Sequence, residues 1–544
     1  MVLAAVFFAA SCASNESSSS EDGGGGTGNS DEDAGPPQMG GKVVYGLEAE
    51  TTNGWCLPEG QLAISGIMVA RALYDTLTVP DGDGNFVPFL AESVEPNDDY
   101  TEWTIKVRDG VKFSDGSDLT SEVVKNNLDA YRNQYPGRTS LLFQFVLQDI
   151  TDVSVVDPLS VKVTTGRPWA SFPSFLYSSG RMGMVGQAQL DDAEGCARNL
   201  IGTGPFILED WQVNSSLTAK KNPNYWREDA DGNQLPYLDE IEFRPITEAQ
   251  QRLNALESGE IDAFHTTDIA TIEELRNQSD DGQVNLTESD DNAEVGNLML
   301  NATEPPFDNQ IARQAAATAI DRDEINQILN KGIPKIANGP FSPGTIGYTE
   351  DTGYPDYDVD KAKQLVQQYE SETGQQFQVQ ISSPPDPETR QLVDLTAQYF
   401  EDAGMKVTTT TFDQSELIQT AIQRDYQAIT WRNYPGLDPD GNYVWWYGKG
   451  NPVNFMGFDD STVNDLLDQG RATADPDERQ QIYADLNKHF AEQDYMLWAS
   501  WTQWDIPTDS EVHGVVGARP PDDEGSDYTG LALGNDMALM WREQ

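Results

Sequence analysis

The sequence predicts a mixed α/β protein with at least two lobes. Segments typical of strands, turns and helices alternate irregularly along the chain, without the repeat of roughly 20 to 50 residues that marks a solenoid. The chain has 544 residues, more than one hydrophobic core normally serves. Its apolar fraction of 38%, with 12 Trp, 20 Tyr and 20 Phe, is typical of a globular protein rich in aromatic side chains. Lobes of this size can enclose a sizeable ligand between them.

The first twelve residues resemble the signal peptide of a bacterial lipoprotein. Residues 2–10 are apolar or small, a run shorter than the roughly 18 residues of a membrane span, and Ser11 and Cys12 follow. In a lipoprotein this cysteine is lipidated and becomes the mature N-terminus, so Cys12 is the predicted lipid anchor. The chain departs from the pattern in two ways, because no Lys or Arg precedes the apolar run and Ala9 stands where Leu is usual. A plain secretory peptide is the alternative.

Residues 13–41 predict a disordered tether. Ser, Gly, Asp and Glu dominate this segment, which cannot bury enough apolar area to fold. Beyond it, residues 42–47 predict a strand, residues 54–58 a loop and residues 67–77 a helix.

The segment 91–128 predicts a complete strand, turn and helix unit. Trp103, Ile105 and Val107 alternate with polar residues, as in a half-buried strand. Val111 and Phe113 predict a second short strand, and residues 114–117 a turn. A helix follows, with Thr120 as its N-cap and an apolar stripe formed by Val124, Leu128 and Tyr131.

The strongly acidic composition excludes nucleic acid as a partner. The chain carries 34 Lys and Arg against 90 Asp and Glu, a net charge of −56, which would repel a phosphate backbone. We interpret this charge as a soluble surface or as adaptation to saline surroundings. A surface that recruits cationic ligands is the alternative, although charge this diffuse does not define a site.

The motifs of common enzymes are missing from the sequence. The chain has three His and contains no HExxH, GxSxG or GxxxxGK[ST] string, so we predict neither an enzyme nor a metal or other cofactor. An Asp-x-Asp-Gly-Asn string occurs at 81–85, 229–233 and 438–442. Alternating acids can bind calcium, but the sixth position lacks the Gly of an EF-hand, and turn formation explains the first two copies better.

The two cysteines that follow Cys12 predict a structural disulfide. Cys56 and Cys196 would be the pair left in an exported chain, where paired cysteines usually form a bridge. A metal or nucleophilic pair is the alternative, but neither cysteine has His or Asp neighbours at ligand spacing.

Several sequence motifs, in order, resemble the extracellular solute-binding proteins of family 5, the oligopeptide, dipeptide and nickel receptors of ABC importers. The segment 91–128 resembles the signature region of the family. The family's GTGPY and NPxYW motifs match residues 201–206 and 222–226, its SGEID segment matches residues 252–262, and its PFxDxxVRQAxxxAIDR helix matches residues 306–322. The resemblance covers about nine tenths of the chain, from residue 43 to the end.

This resemblance implies a fold like that of the type II periplasmic binding proteins, with two lobes joined by a hinge and an extra domain. Domain I would comprise residues 42–76, 201–297 and 499–544, domain II residues 77–200, and domain III residues 298–498. The ligand would be enclosed between domains I and III, and two chain crossings would act as hinges.

The segment 429–447 is the predicted ligand site. A strand ends near Trp431, and an irregular loop then carries a cation, an amide, carboxylates and aromatic rings, the groups that a polar ligand pocket needs. The candidate residues here are Trp431, Arg432, Asn433, Tyr434, Asp438 and Trp446. The alternative is that the aromatic rings belong to the core and Arg432 forms a structural ion pair. Trp55 and the set Trp498, Trp501 and Trp504 are further candidates, because they match parts of domain I that face the cleft in the family. The alternative for Trp498 and Trp501 is that they share one helical face in the core.

Peptide-binding members of the family carry an aspartate in this segment that pairs with the α-amino group of the ligand. The matching position here is Tyr434 or Pro435, and Arg432 brings positive charge nearby. This departure favours an acidic, amidated or sugar-like ligand over a peptide with a free amine, with Asp438 as the only nearby substitute anion.

Together these features predict an extracytoplasmic substrate-binding lipoprotein of an ABC importer. It would be held at the outer face of the cytoplasmic membrane by its lipid anchor, act as a monomer, capture a peptide or other small polar solute, and deliver it to the permease. A secreted hydrolase and a surface adhesin or structural lipoprotein are the alternatives.

Overall fold

Strands and helices are mixed along the whole described part of the chain, as predicted. The computed structural model describes residues 34–544, except 52–53, 61, 83, 141, 290–293, 434–435 and 520–533. The predicted anchor Cys12 lies outside the described residues. Strands in the described part form one sheet of seven strands, one of five and one of four, together with two short strand pairs. The short pairs are Thr78–Pro80 with Phe86–Pro88, and Val512–His513 with Trp541–Arg542.

The seven-stranded sheet is assembled from three distant parts of the chain. The predicted strand 42–47 lies inside this sheet, pairs in parallel with two neighbours, and buries Val43 and Tyr45 completely. In spatial order the strands are Val284–Ser289, Trp504–Asp509, Ala263–Phe264, Lys42–Leu47, Glu240–Pro245, Ser216–Lys221 and Phe206–Gln212.

The four-stranded sheet contains the strand predicted from alternation at Trp103, Ile105 and Val107, and all three side chains are buried. In spatial order its strands are Ala91–Pro96, Glu102–Val107, Ser160–Thr165 and Ile150–Asp157. All four strands are antiparallel.

The helix predicted after Thr120 is confirmed. It spans Ser121–Tyr131, and the Thr120 hydroxyl accepts a hydrogen bond from the Val123 amide at 3.4 Å. The second short strand predicted at Val111 and Phe113 is present only as an isolated antiparallel bridge between Lys112 and Asp118. Both predicted side chains are buried, and the Phe113 amide donates to the Ser117 carbonyl at 2.9 Å across the turn.

The five-stranded sheet carries the segment predicted to bind ligand. In spatial order its strands are Lys406–Thr411, Gln378–Ser383, Ala428–Asn433, Val295–Leu300 and Met496–Trp501. Side chains on the central strands reach a large cleft between this sheet and the seven-stranded sheet.

The chain crosses between these two sheets twice, after Ser289 and after Trp501. Glu294, which enters the five-stranded sheet, and Thr502, which leaves it, lie side by side, because the Thr502 amide donates to the Glu294 carbonyl at 2.7 Å. The predicted domain boundaries stay predictions. Two of them, at 297/298 and 498/499, fall inside strands Val295–Leu300 and Met496–Trp501.

Helices cover the sheets and connect the strands. The helix predicted over 67–77 spans Ile64–Leu73 and ends earlier than expected, because Tyr74 is extended and Gly202 and Gly204 cross directly behind Leu73. A Cβ atom on Gly202 would lie 2.0 Å from the Leu73 oxygen, so this crossing requires glycine. The other α-helices are Gln144–Leu147, Phe172–Phe175, Gln187–Asp191, Ala249–Glu257, Ile269–Asp280, Gln310–Ala319, Arg322–Asn330, Val359–Thr373, Pro387–Asp402, Gln414–Gln423, Tyr443–Trp446, Ser461–Ala472 and Pro476–Gln493, and the 3₁₀ turns are Ser178–Gly180 and Pro439–Asn442.

The predicted disulfide between Cys56 and Cys196 is present and closes a loop across 140 residues. It joins the loop before helix Ile64–Leu73 to the segment that precedes the glycine crossing. Both cysteines are buried.

The predicted tether ends earlier than residue 41. The Gly40 amide donates to the Tyr237 carbonyl at 2.8 Å, and the Gln544 amide donates to the Gln38 side chain at 3.0 Å. Through these contacts residues 38–40 bind to the folded body.

No helix in the described part of the chain is long and apolar enough to cross a bilayer.

The Asp-x-Asp-Gly-Asn strings form turns and a helix cap. In the first two copies the leading carboxylate, Asp81 or Asp229, accepts a hydrogen bond from the amide four residues later, at 2.8 and 2.7 Å. In the third copy Asp438 caps the 3₁₀ turn Pro439–Asn442.

In the part of the chain that the structure describes, no group of three or more His, Cys, Asp or Glu is placed to hold a metal ion.

Candidate ligand-binding cleft

A cleft of about 1420 Å³ lies where the seven-stranded and five-stranded sheets face each other. Residues from the ends of strands in both sheets line it, together with residues 142–144 and 174–181. This volume exceeds the roughly 300–1,000 Å³ typical of sites for drug-sized ligands. The cleft can therefore hold a ligand as large as a short peptide.

Aromatic side chains form one wall of the cleft. Trp431 and Trp498 stand on either side of Asn297, because their strands are its two neighbours and both residues pair with it in register. Phe455 contacts Trp431 edge to face, with ring centroids 5.6 Å apart, and Trp445 is tilted against Phe455 at 5.9 Å. These rings present flat apolar faces to a ligand.

One arginine and two glutamates form the charged centre of the cleft. Arg432 is 3.4 Å from Glu48 and 3.6 Å from Glu294, measured between guanidinium nitrogen and carboxylate oxygen. Glu48 directly follows strand Lys42–Leu47 of one sheet, whereas Glu294 directly precedes strand Val295–Leu300 of the other. The cluster therefore joins the two sheets across the cleft. The guanidinium also lies 5.9 Å from the Trp504 ring.

Burial and charge act in opposite directions on the acids of this cluster. Burial raises the pKa of Glu294. Burial also pushes the pKa of Glu48 upward, but the charges of Arg432 and Arg252 oppose it, and that pKa lies below its usual value. The carboxylate of Glu294 raises the pKa of Arg432 further, so the guanidinium stays charged.

The histidine beside the cluster is neutral. His265 is buried, with ring contacts to Tyr45 and Trp504, and burial lowers its pKa to about 4. It adds no charge near neutral pH.

Several polar atoms in the cleft wall make no hydrogen bond within the described part of the chain. They belong to buried or half-buried side chains that line the cleft. They are Glu294 Oε2, both polar side-chain atoms of Asn297, Thr430 Oγ1 and Trp498 Nε1. Buried polar groups normally have partners, so these atoms are suited to meet a polar ligand.

Trp431, Arg432 and Asn433, three of the predicted ligand-binding residues, line the cleft, and their contact with a ligand stays a prediction. The side-chain amide of Asn433 donates to the side-chain oxygen of Asn442 at 3.1 Å. Tyr434 lies outside the described residues.

Asp438 lies at the cleft but is not a free anion. Arg479 donates two hydrogen bonds to its carboxylate, at 2.6 and 2.9 Å, and both side chains are largely buried. The expectation that Asp438 supplies the substitute charge for a ligand is therefore corrected. Its charge is already paired, whereas Glu48 and Glu294 supply the acids beside Arg432.

Three predicted tryptophans lie in the core instead of lining the cleft. Trp446 packs against Phe341 and Phe490, with ring centroids 6.0 and 4.9 Å away. Trp501 packs against Tyr348 at 5.8 Å, and Trp55 packs against Trp211 at 5.9 Å. All three are almost completely buried.

Glu48 and Glu294 are the residues that sequence reasoning missed. Glu48 directly follows a strand that was predicted correctly, and a position at a strand end could have marked it as a candidate site residue. In a chain with 90 acidic residues, however, a single glutamate does not stand out.

Comparison with known proteins gives a consistent assignment. Residues 85–455 match the family model described as bacterial extracellular solute-binding proteins, family 5 Middle. The glutathione-binding protein GsiB of Salmonella paratyphi A is 29% identical over 350 residues, which cover 64% of this chain and 65% of that protein. The match thus spans less than two thirds of that relative's length.

Solved structures of similar fold cover nearly the whole chain. The binding protein AgaA of A. tumefaciens R10, in complex with agropinic acid, has a TM-score of 0.81 and 25% identity, and the match covers 93% of this chain and 99% of that one. DppA of Helicobacter pylori, in complex with the peptide STSA, also has a TM-score of 0.81, with 19% identity and coverage of 93% and 99%. These neighbours confirm the predicted periplasmic binding protein type II-like fold with an extra domain. The chain belongs to the bacterial extracellular solute-binding proteins of family 5.

Proposed function

We propose that this protein is the substrate-binding component of an ABC importer. It captures a peptide or another small polar solute in the cleft between the two sheets and presents it to a permease. The observation that carries this proposal is the 1420 Å³ cleft itself, which combines a partly exposed arginine, unpartnered polar atoms and tryptophan faces.

Binding couples to closure of the cleft. The chain passes between the two sheets at Glu294 and at Thr502, which are hydrogen-bonded to each other, so a small change in backbone angles near this contact can rotate one sheet relative to the other. A ligand that contacts both sheets stabilises the closed form by the difference between its affinities for the closed and open forms. Glu48 on one side and Arg432 on the other are placed to make such contacts.

The chemistry of the cleft indicates a ligand that carries a carboxylate. Arg432 is the cationic side chain at the centre of the cluster, and its guanidinium can hold a carboxylate through paired hydrogen bonds. Relatives named for glutathione and a structure with agropinic acid show that proteins similar to this one bind acidic solutes.

The protein performs no covalent chemistry on its ligand, and turnover of a peptide or glycoside by the purified protein would overturn this part of the proposal.

The N-terminal segment anchors the protein outside the cytoplasm. Lipidation of Cys12 would hold the folded body at the outer face of the membrane through the segment that follows it. A Cys12→Ala variant expressed in the native host should move from the membrane fraction to the soluble exported fraction. An unchanged distribution would contradict the anchor.

Identification of the natural solute tests the proposed function. Protein purified without denaturation is unfolded in acid, and the small molecules that it releases are identified by mass spectrometry. We expect one solute class at close to one molecule per chain. A protein that releases no solute and binds none from a panel of peptides, amino acids and oligosaccharides would favour the adhesin alternative.

A further inference from the structure

The Glu48, Arg432 and Glu294 cluster is held together loosely. Its contacts of 3.4 and 3.6 Å are longer than the 2.7–2.9 Å usual for charge-assisted hydrogen bonds. The Arg432 side chain is 45% exposed to the cleft, and its one hydrogen bond among the described residues is the long contact to Glu48. Most of its N–H donors are therefore available to a ligand.

The acidic side of the cluster is also incompletely bonded. Glu294 is only 7% exposed, and its Oε2 atom lies 3.6 Å from the Arg432 guanidinium, an ion-pair contact, but makes no hydrogen bond within the described residues. A buried carboxylate oxygen without a hydrogen bond is unfavourable, so this atom is suited to accept one from a ligand. The site thus offers hydrogen-bond donors for an anion and an acceptor for a cation within one contact distance.

A ligand that bonds to both the Arg432 donors and the Glu294 acceptor carries its two charges close together. Standard bond lengths place the ammonium nitrogen and the nearer carboxylate oxygen of an α-amino acid about 3 Å apart, since both groups are attached to one carbon. The two ends of an α-linked tripeptide are separated by about 3.3 Å per residue, or roughly 10 Å when extended. A linear α-linked peptide cannot place both end charges on this cluster.

We propose that the Glu48, Arg432 and Glu294 cluster recognises an α-amino-acid head group, with the carboxylate on Arg432 and the ammonium between the two glutamates. This inference rests on the proposed function and specifies its ligand class. The cleft is much larger than one amino acid, so the head group is one end of a longer molecule, such as a γ-linked peptide or another amino acid joined through its side chain.

The wall next to the cluster suits the rest of such a molecule. Asn297 and Trp498 are 6% and 1% exposed, and both have side-chain polar atoms without hydrogen bonds in the described part of the chain. Asn297 lies three residues along the same strand segment from Glu294. An amide of the ligand can bond to these atoms while its apolar groups contact Trp431.

Two isomeric tripeptides provide a direct test. γ-Glu-Ala-Gly has its ammonium and one carboxylate on the same carbon, whereas α-Glu-Ala-Gly has the same atoms and charges with no such head group. Alanine stands at the central position so that no thiol attacks the Cys56–Cys196 disulfide. Isothermal titration calorimetry on the full folded chain should show the γ isomer binding at least about tenfold more tightly.

Variants of the cluster should remove this preference. Glu294→Gln keeps the shape of the side chain but loses its charge, and Arg432→Gln removes the cation. Each should weaken the γ isomer about tenfold or more and bring the two isomers within about twofold of each other. Glu248→Gln is the matched control, because Glu248 is exposed at the same cleft outside the cluster, and it should leave the preference intact. Circular dichroism checks that each variant folds. One folded cluster variant is enough to test whether the preference for the γ isomer depends on the cluster.

Three results would overturn the inference. The α isomer could bind as tightly as the γ isomer, the preference could survive in the folded Glu294→Gln variant, or neither isomer could bind. If neither isomer binds while the native protein releases a solute without this head group, the inference fails and the proposed function stands. If no solute is released and none binds, both fail.

Discussion

Arg432 and Asp438 are close in sequence and lie at the same cleft, yet their charges have different roles. Asp438 is buried against Arg479 through two short hydrogen bonds, so it stabilises the loop that carries it. Arg432 has only long contacts to its acids and is partly exposed. Distance and burial, not residue type, separate the structural charge from the one available for binding.

An Arg432→Ala substitution should weaken binding of a carboxylate ligand by about 2 kcal/mol or more, because it removes the guanidinium donors from the cleft. Arg198→Ala is the matched control. Arg198 is exposed and lies over the Trp211 ring at 4.8 Å, much as Arg432 lies over Trp504, but it does not line the cleft. Calorimetric titration with the natural solute measures both variants, and equal losses would remove Arg432 from the site.

Residue-level prediction from sequence succeeded where the local pattern decides the outcome. The alternation at Trp103, Ile105 and Val107 and the cap at Thr120 depend on neighbours only a few residues away. Trp431 and Trp446 are chemically identical and close in sequence, yet one lines the cleft and the other is in the core. Tertiary packing sets that difference. Glu48 and Glu294 meet only because two sheets face each other, and no local pattern carries that information.

At the scale of elements, the strand that leaves the second crossing carries a buried acid. Asp505 in strand Trp504–Asp509 is fully buried beside Glu288, and its Oδ2 atom makes no hydrogen bond among the described residues. Burial raises its pKa to about 7, from 3.8 in a free side chain. The folded state therefore keeps a proton that the unfolded state releases near pH 4.

This pKa shift predicts that stability falls as pH rises from about 4 to 7, because in this range the folded chain binds more protons than the unfolded chain. Asp505→Asn removes that contribution and should be more stable than wild type at pH 8, with little difference at pH 4. Thermal unfolding of both proteins across this range measures the effect. A wild type and variant with parallel pH profiles would contradict the buried, protonated carboxyl.

The disulfide couples two elements that are distant in sequence. Because Cys56 and Cys196 close a loop of 140 residues, removing the bond should increase the entropy of the unfolded chain considerably. The double variant Cys56→Ala/Cys196→Ala should lose up to about 5 kcal/mol of stability, measured as a lower calorimetric melting temperature. Unchanged melting would show that native contacts alone constrain these segments.

A buried network centred on Asp440 connects the segment 429–447 to residues next to the four-stranded sheet. Asp440 is fully buried and accepts hydrogen bonds from Trp169, Ser171 and Arg471 at 2.8, 2.6 and 2.9 Å. Arg471 also contacts Asp149 at 3.1 Å and lies 3.6 Å from the centre of the Tyr443 ring. The third Asp-x-Asp-Gly-Asn string is thus a structural joint between distant segments, which its turn chemistry alone does not indicate.

At the scale of the whole molecule, a net charge of −56 makes the folded state repel itself. Ion pairs offset part of this repulsion, but acids outnumber bases by more than two to one. Added salt screens the remainder, since the Debye length falls from about 10 Å at 0.1 M to about 3 Å at 1 M.

Raising NaCl from 0.05 to about 1 M should therefore increase the melting temperature by several degrees at neutral pH. Repeating the series near pH 4, where many surface carboxylates become protonated, should give a smaller gain. A melting temperature that does not respond to salt at pH 7 would show that repulsion does not limit stability.

The central claim is that a solute closes the cleft between the two sheets, and small-angle X-ray scattering tests it most directly. The protein is stripped of bound solute by unfolding and refolding with the disulfide kept intact, and its radius of gyration is measured before and after the released solute is returned. We predict a smaller radius at saturation in wild type, with a weaker response in Arg432→Ala at the same solute concentration. An unchanged radius for wild type at saturating solute would contradict closure.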